Sequence, residues 1–163
     1  MDEKLLEFLA KKGLLDEKTL LIVRDLISRG KTAEQVLVGG RYVPEVEVAK
    51  AKAEIVALPF VDIANVQVAQ DVIELIPSET VKSYKMVPIG FDGTTIQVAM
   101  QNPQDVHAME ALQFLANERK WKVQTVIVPA SQMTRLLRQA GTVAGEVESA
   151  LAEAKGKFSQ PKD

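Results

Sequence analysis

The chain has 163 residues, a net charge of −2, 47% apolar and 26% charged residues, and no cysteine. That size and balance describe one ordinary globular domain or two small ones, with no bulk attraction to nucleic acid or anionic membrane and no disulfide or thiolate chemistry. No apolar run approaches a membrane span, and the N-terminus MDEKLLEFLAKKG lacks the apolar core of a signal peptide, so the chain reads as cytoplasmic.

From Glu3 to Lys12, the positions Leu5, Leu6, Phe8 and Leu9 mark a short amphipathic helix, with Gly13 where a left-handed C-cap falls. Asp16 opens a second helix with Leu20, Val23, Leu26 and Ile27 on its buried face, and Gly30 ends it. Thr32 and Gln35 have capping-box spacing, so a third helix runs through Val36 and Leu37 to the Gly39-Gly40 break. Pro44 starts a fourth. In VPEVEVAKAKAEIV the apolar and charged residues alternate as in a strand, but Ala49, Ala51 and Ala53 between lysines and glutamates favour helix. Residues 1–57 thus read as a helical subdomain.

LPFVDI, Leu58 to Ile63, comes next as an extended connector, because Pro59 disfavours helix at Leu58. Its apolar side chains Leu58, Phe60 and Ile63 are expected to pack on the sheet-bearing unit C-terminal to them, which puts motion between the halves at Val56-Ala57. A helical turn or two surrounds Val72, Ile73 and Leu75, and Pro77 starts another helix. Two β-rich runs, Met86 to Phe91 and Thr94 to Met100, meet at Asp92-Gly93, a pair that tolerates the positive φ angles of a tight turn. Pro88 places the first strand at an edge or a bend. Asn102 then reads as an N-cap, with Pro103 at the first position of a helix over residues 103–116 whose Val106, Met109, Leu112 and Leu115 cover the hairpin. KVQTVIV, Lys122 to Val128, is a third strand, and Ser131 caps a last helix with Met133, Leu136 and Leu137 on its apolar face, closed by Gly141. The fold class is α+β: an N-terminal helical subdomain, then an α-β-β-α-β-α subdomain over residues 58–141 with a three-stranded sheet and helices on one sheet face. Residues 142–163 read as a helix or linker around Val147 and Leu151 with a disordered, polar tail.

Few residues point to chemistry. Gly30-Lys31-Thr32 before a helix matches the end of a phosphate-binding P-loop, but the glycine that should stand five residues earlier is Asp25, inside a helix, so a helix C-cap followed by an N-cap is the better reading. His107 is the only histidine, which rules out a metal site built on two; it sits in a first helical turn beside Asp105 and reads as an exposed capping-region residue. No serine lies in a nucleophile elbow, and Tyr42, Tyr84 and Trp121 are too scattered for base stacking. NERKWK, Asn117 to Lys122, reads as a solvated basic loop. No catalytic and no metal residues emerge.

The ordered series VPEVEVAKAKAEIVALPFVDI, IELIPSETVKSYKMVPIGFDGTTIQVAMQNPQDVHAMEALQF and VIVPASQMTRLLRQAG resembles the N-terminal region of the hexameric ATPases of type II secretion and type IV pilus assembly, including the MshEN-type domain. The resemblance covers roughly residues 4–150. It implies a non-catalytic bacterial docking and coupling domain for protein transport. Such a domain is cytoplasmic and peripheral at the inner membrane, and it engages the assembly-platform proteins and the ATPase core of its own parent chain, without inserting in the membrane or binding nucleic acid. The Walker motifs of that family lie downstream of this region and are not in the sequence, so the chain itself is expected not to be an enzyme, ATP belongs to an absent downstream domain, and the polar ending reads as that of a fragment. The alternative from the same resemblance is a cyclic di-GMP sensor. Its motif maps onto KLLEFLAKKGLL, giving Lys4, Leu5, Leu9 and Gly13 as the candidate site: Leu5, Leu9 and Gly13-Leu14-Leu15 keep the apolar skeleton, while Lys4 stands where the motif has arginine and Leu6 where it has glycine, and Ile27 falls near the closing glutamine. A second degraded copy spans residues 34–55, with Gln35 near its start and Ile55 at its end. Lysine lacks the planar fork of arginine, and leucine obstructs close backbone approach, so no cofactor is assigned from the skeleton, which is better explained by helix packing.

Overall fold

The first helix, α1 (Asp2–Lys11), buries Leu5, Leu6 and Leu9 and ends in a Schellman turn. The amide of Leu14 reaches the carbonyl of Leu9 at 2.9 Å and that of Gly13 reaches Ala10 at 3.0 Å, with Gly13 at φ +78°. This computed structural model describes residues 2–141. Helix α2 (Glu17–Ser28) is capped by Asp16, whose carboxylate accepts the Thr19 amide at 2.7 Å. Helix α3 (Ala33–Gly39) opens on the expected capping box: Gln35 N–H donates to the Thr32 hydroxyl at 3.2 Å, and Thr32 N–H donates back to the Gln35 side chain at 3.0 Å. Gly30-Lys31-Thr32 is thereby a helix end followed by a helix start. The turn after α3 goes one residue further than Gly39-Gly40: Gly40 is right-handed, and Arg41 takes the left-handed position at φ +58°. Helix α4 (Glu45–Val56) follows Pro44 and closes on Ala57, again left-handed at φ +57°.

The connector after α4 is extended, as LPFVDI predicts. Ile127 N–H donates to Pro59 O and Val61 N–H to Ile127 O, both at 2.9 Å, which lays the connector parallel to the chain leaving the last strand. Two short helices, α5 (Gln70–Ile73) and α6 (Ser78–Tyr84), lead to strands β1 (Met86–Phe91) and β2 (Thr95–Met100). These pair antiparallel, with Met86 opposite Met100 and Phe91 opposite Ile96. Asp92 turns the chain by accepting the amides of Thr94 at 2.8 Å and Thr95 at 2.6 Å, with Gly93 at φ +95°. The register shifts between Pro88 and Gly90, so the proline lies on an edge strand and at a bulge, both places where its missing N–H is tolerated. Helix α7 (Val106–Arg119) crosses over to β3 (Lys122–Val126), which pairs parallel to β2 from Thr95–Lys122 to Ala99–Val126. The order of the mixed sheet is β1-β2-β3. A last helix, α8, occupies residues 130–141. The α+β class and the α-β-β-α-β-α order agree with the sequence reading.

Several local expectations are corrected. The N-cap of α7 is Asp105, which accepts the amides of His107 at 3.0 Å and Ala108 at 3.2 Å; Asn102 caps only a preceding turn through the Gln104 amide. A carboxylate facing the positive helix end outcompetes a neutral amide three residues earlier. The helix therefore starts at Val106, and its buried residues are Ala108, Leu112 and Ala116, while Val106 is 64% and Met109 37% exposed. Small side chains at Ala108 and Ala116 let the helix lie close to its neighbours. Ser131 is not a cap: Pro129 carbonyl accepts the amides of Gln132 and Met133, and Ser131 binds a residue of α4 instead. NERKWK is not a loop. It is the last turn of α7, a left-handed Lys120, and the start of β3, with Arg119 at 5.3 Å over the Trp121 ring. Gly141 is itself helical, and the helix, linker and tail expectations for residues 142–163 lie outside the described residues.

Two main cores result. One gathers Leu5, Leu6, Leu9, Val23, Leu37 and Val48 among α1 to α4; the other gathers Ile63, Ile76, Met86, Ile96, Met100 and Leu136 around the sheet. A third, small cluster joins Ala49 and Ala53 of α4 to Ile127, with Leu58 and Phe60 packed beside them. Helix α4 thus serves both halves, with Val48 and Ala51 turned into the helical core and Ala49 and Ala53 into the seam.

Candidate functional site

Helices α1 and α4 enclose a groove of about 280 Å³ whose lining includes Phe8, Leu9, Lys12, Leu14, Lys50 and Ala51. Lys12 stands 5.3 Å above the Phe8 ring and Lys50 5.8 Å above that of Phe60, so both ammonium groups rest on aromatic faces at its margin. Glu47 and Glu54 also line it, which makes its charge mixed. Of the skeleton residues Lys4, Leu5, Leu9 and Gly13, this groove takes in Leu9; Leu5 lies in the helical core, Lys4 is exposed, and Gly13 forms the turn between Lys12 and Leu14. The structure does not bring the four to one surface.

A second cavity, of about 290 Å³, opens at the seam between the halves, bordered by Glu34, Val38, Lys52, Met100, Gln101 and Met133. Lys52 is its buried cation. Its Nζ donates to the Gln101 carbonyl at 2.5 Å and lies 3.3 Å from the Glu34 carboxylate, so the charge is paired where water is scarce. Sequence reading gave Lys52 no role, and no local pattern marks it, because its partner carbonyl lies 49 residues away.

A third arrangement pins the connector. Gln132 on α8 is 6% exposed, accepts the buried amide of Ile63 at 2.7 Å and donates to Asp62 at 2.7 Å. Arg135, one turn on, donates to the carbonyls of Ile63 and Ala64, and Gln139 to that of Val68. Residues 62–68 are therefore held along α8 by three side chains at helical spacing. The Ala64 amide, and after it the Gln132 side chain, hold the Asp62 carboxyl below its ordinary pKa.

His107 is exposed at the start of α7, as expected. Among the described residues no three His, Asp or Glu side chains gather as a metal site, and no helix is long and apolar enough to cross a membrane. What the surface does offer is apolar area on two helices. Leu21 (67%) and Ile22 stand out from α2, and Phe114 (72%) from the outer side of α7, two turns from Val106.

Residues 56–146 match the description of the MshEN domain. The type IV pilus assembly ATPase PilB of Acinetobacter baylyi is 30% identical over 91 residues, 53% of this chain and 15% of that protein. The PilB of Myxococcus xanthus is 29% identical over 70 residues, 43% of this chain and 12% of that protein. The chain thus matches well under a quarter of the length of these relatives. Among solved structures, that of MshE with cdg superposes with a TM-score of 0.66 at 23% identity, covering 83% of this chain and 97% of that one. The N-terminal domain of XpsE gives 0.61 at 18% identity, covering 84% and 93%. Those identities speak for the fold, and the match over more than half of the residues speaks for the family: the chain belongs to the MshEN domain family.

Proposed function

We propose that the chain is a non-catalytic docking and coupling domain of a type II secretion or type IV pilus assembly ATPase, engaging cytoplasmic parts of the inner-membrane platform. The observation that carries this reading is the MshEN match over residues 56–146 together with relatives that are pilus assembly ATPases. The exposed apolar residues of α2 and α7 suit a domain that works by contact, since each leaves a large side chain in water that a partner would cover. In this reading residues 1–57 and 58–141 act as two subdomains, and the domain is peripheral at the membrane through its partners. The test is a titration of the purified chain against the purified cytoplasmic domains of the platform proteins, with ATP turnover measured in parallel. Saturable binding weakened by Phe114→Glu or Leu21→Glu, with no hydrolysis above background, is expected; ATP turnover by the chain, or no binding to any platform domain, overturns the reading.

A second reading, cyclic di-GMP sensing, is favoured by one observation: the fold neighbour MshE was solved with cdg. The groove of α1 and α4, lined by the skeleton's Leu9 with Lys12 and Lys50 at its margin, is the surface this reading would use. Calorimetry decides it. Saturable binding of cyclic di-GMP that is lost in Lys12→Glu/Lys50→Glu supports the sensor, and silence leaves the docking reading alone.

A further inference from the structure

Helix α4 carries two polar side chains that leave its own half and grip the other. Glu45, in its first turn, accepts the Ser131 hydroxyl at 2.5 Å and the Ser131 amide at 3.1 Å. That amide belongs to the first turn of α8, where an N–H has no partner inside its own helix and faces the positive helix end, so Glu45 caps α8 from across the seam. Lys52, seven residues and two turns along the same face, donates to the Gln101 carbonyl just past the end of β2. On the same helix, Ala49 and Ala53 pack into the small cluster around Ile127. The apolar contact that joins the halves is therefore slight, and polar contacts flank it. The chain leaves α4 through left-handed Ala57, one covalent link into the connector.

We propose that Glu45 and Lys52 form a two-point latch that sets the angle between the helical half and the sheet half, with Ala57 as the pivot. This inference goes beyond docking and does not rest on it. Lys52 is the stronger point, because its bond to the Gln101 carbonyl across the seam is partly buried and its charge is neutralised by Glu34 within its own half, whereas the Glu45–Ser131 contact is exposed and water competes for it. Breaking both points leaves each core whole, since neither residue belongs to the apolar cluster of either half.

The chain has no cysteine, so spin labels at Lys4→Cys and Lys82→Cys, both exposed, report one distance across the seam. In the otherwise unaltered protein a single narrow distance distribution is expected. In Glu45→Ala/Lys52→Met it broadens while the circular dichroism of the fold is retained, and the Ser131 amide exchanges roughly tenfold faster, as loss of a charged acceptor requires. A distribution as narrow as in the parent overturns the latch and assigns the angle to the Ile127 cluster. Should the double variant fail to fold, Glu45→Ala and Lys52→Met are read singly: partial broadening in either supports the latch, and an unchanged width in both overturns it.

Discussion

Replacing Gln132 by methionine is the sharpest probe of how the connector is held. Methionine keeps the length and much of the volume of glutamine but can neither accept the Ile63 amide nor donate to Asp62. Ile63 is 3% exposed, so its N–H, now bonded at 2.7 Å, has no water to turn to. Stranding a buried amide costs about 1–3 kcal/mol, and the exposed Asp62 carboxylate finds water in place of its lost donor, so the net loss is centred on about 2 kcal/mol. For a domain of this size that lowers the melting temperature by roughly 6 °C. Gln139→Met is the internal comparison: Gln139 serves a carbonyl that is only partly shielded, and a carbonyl keeps a second lone pair, so its loss is the smaller. Urea unfolding gives the energies, and hydrogen exchange at the Ile63 amide reads the bond itself. A loss under about 0.5 kcal/mol with the Ile63 amide still protected would refute the reasoning, since burial without a partner is what the cost rests on.

Two further outcomes are expected. Lys120 holds the left-handed C-cap of α7 at φ +60°, where a side chain is strained and glycine is not, so Lys120→Gly should stabilise the protein by about 0.5–1 kcal/mol; a destabilised variant would show that the lysine side chain outweighs its backbone. The carboxyls of Asp16, Asp62 and Asp92 are each held below their ordinary pKa, chiefly by the amides of Thr19, Ala64 and Thr95. A folded-state pKa below the unfolded one means their stabilisation is present above the unfolded pKa, roughly 4, and is lost as pH falls through the folded values. Carboxyl chemical shifts tracked from about pH 6 to about pH 2 should show these three titrating late, and titration at the ordinary value would contradict the hydrogen-bond assignments.

What the sequence by itself determined are features closed within about five residues. The capping box of Thr32 and Gln35, the Asp16 cap, the Gly13 turn and the Asp92-Gly93 hairpin each satisfy their own backbone groups locally, and so were legible, as was the order of helices and strands. Where two local solutions competed, the choice was not local. Asn102 and Asp105 are both acceptable caps, and Val106, Met109, Leu112 and Leu115 make an apolar face as plausible as that of Ala108, Leu112 and Ala116; contact with the rest of the protein selected the face that shares Leu112 but carries the small residues, and left Val106 and Phe114 in water. The end of α7 was obscured, because Lys120, not a glycine, occupies the left-handed position that glycine usually marks. The tertiary structure alone decided the parallel pairing of β3 on β2, the double burial of α4, and the roles of Lys52, Gln132 and Ser131. Each of those three side chains depends on a partner 49 to 86 residues away, and a bond across that distance leaves no periodicity in the chain for a sequence to show.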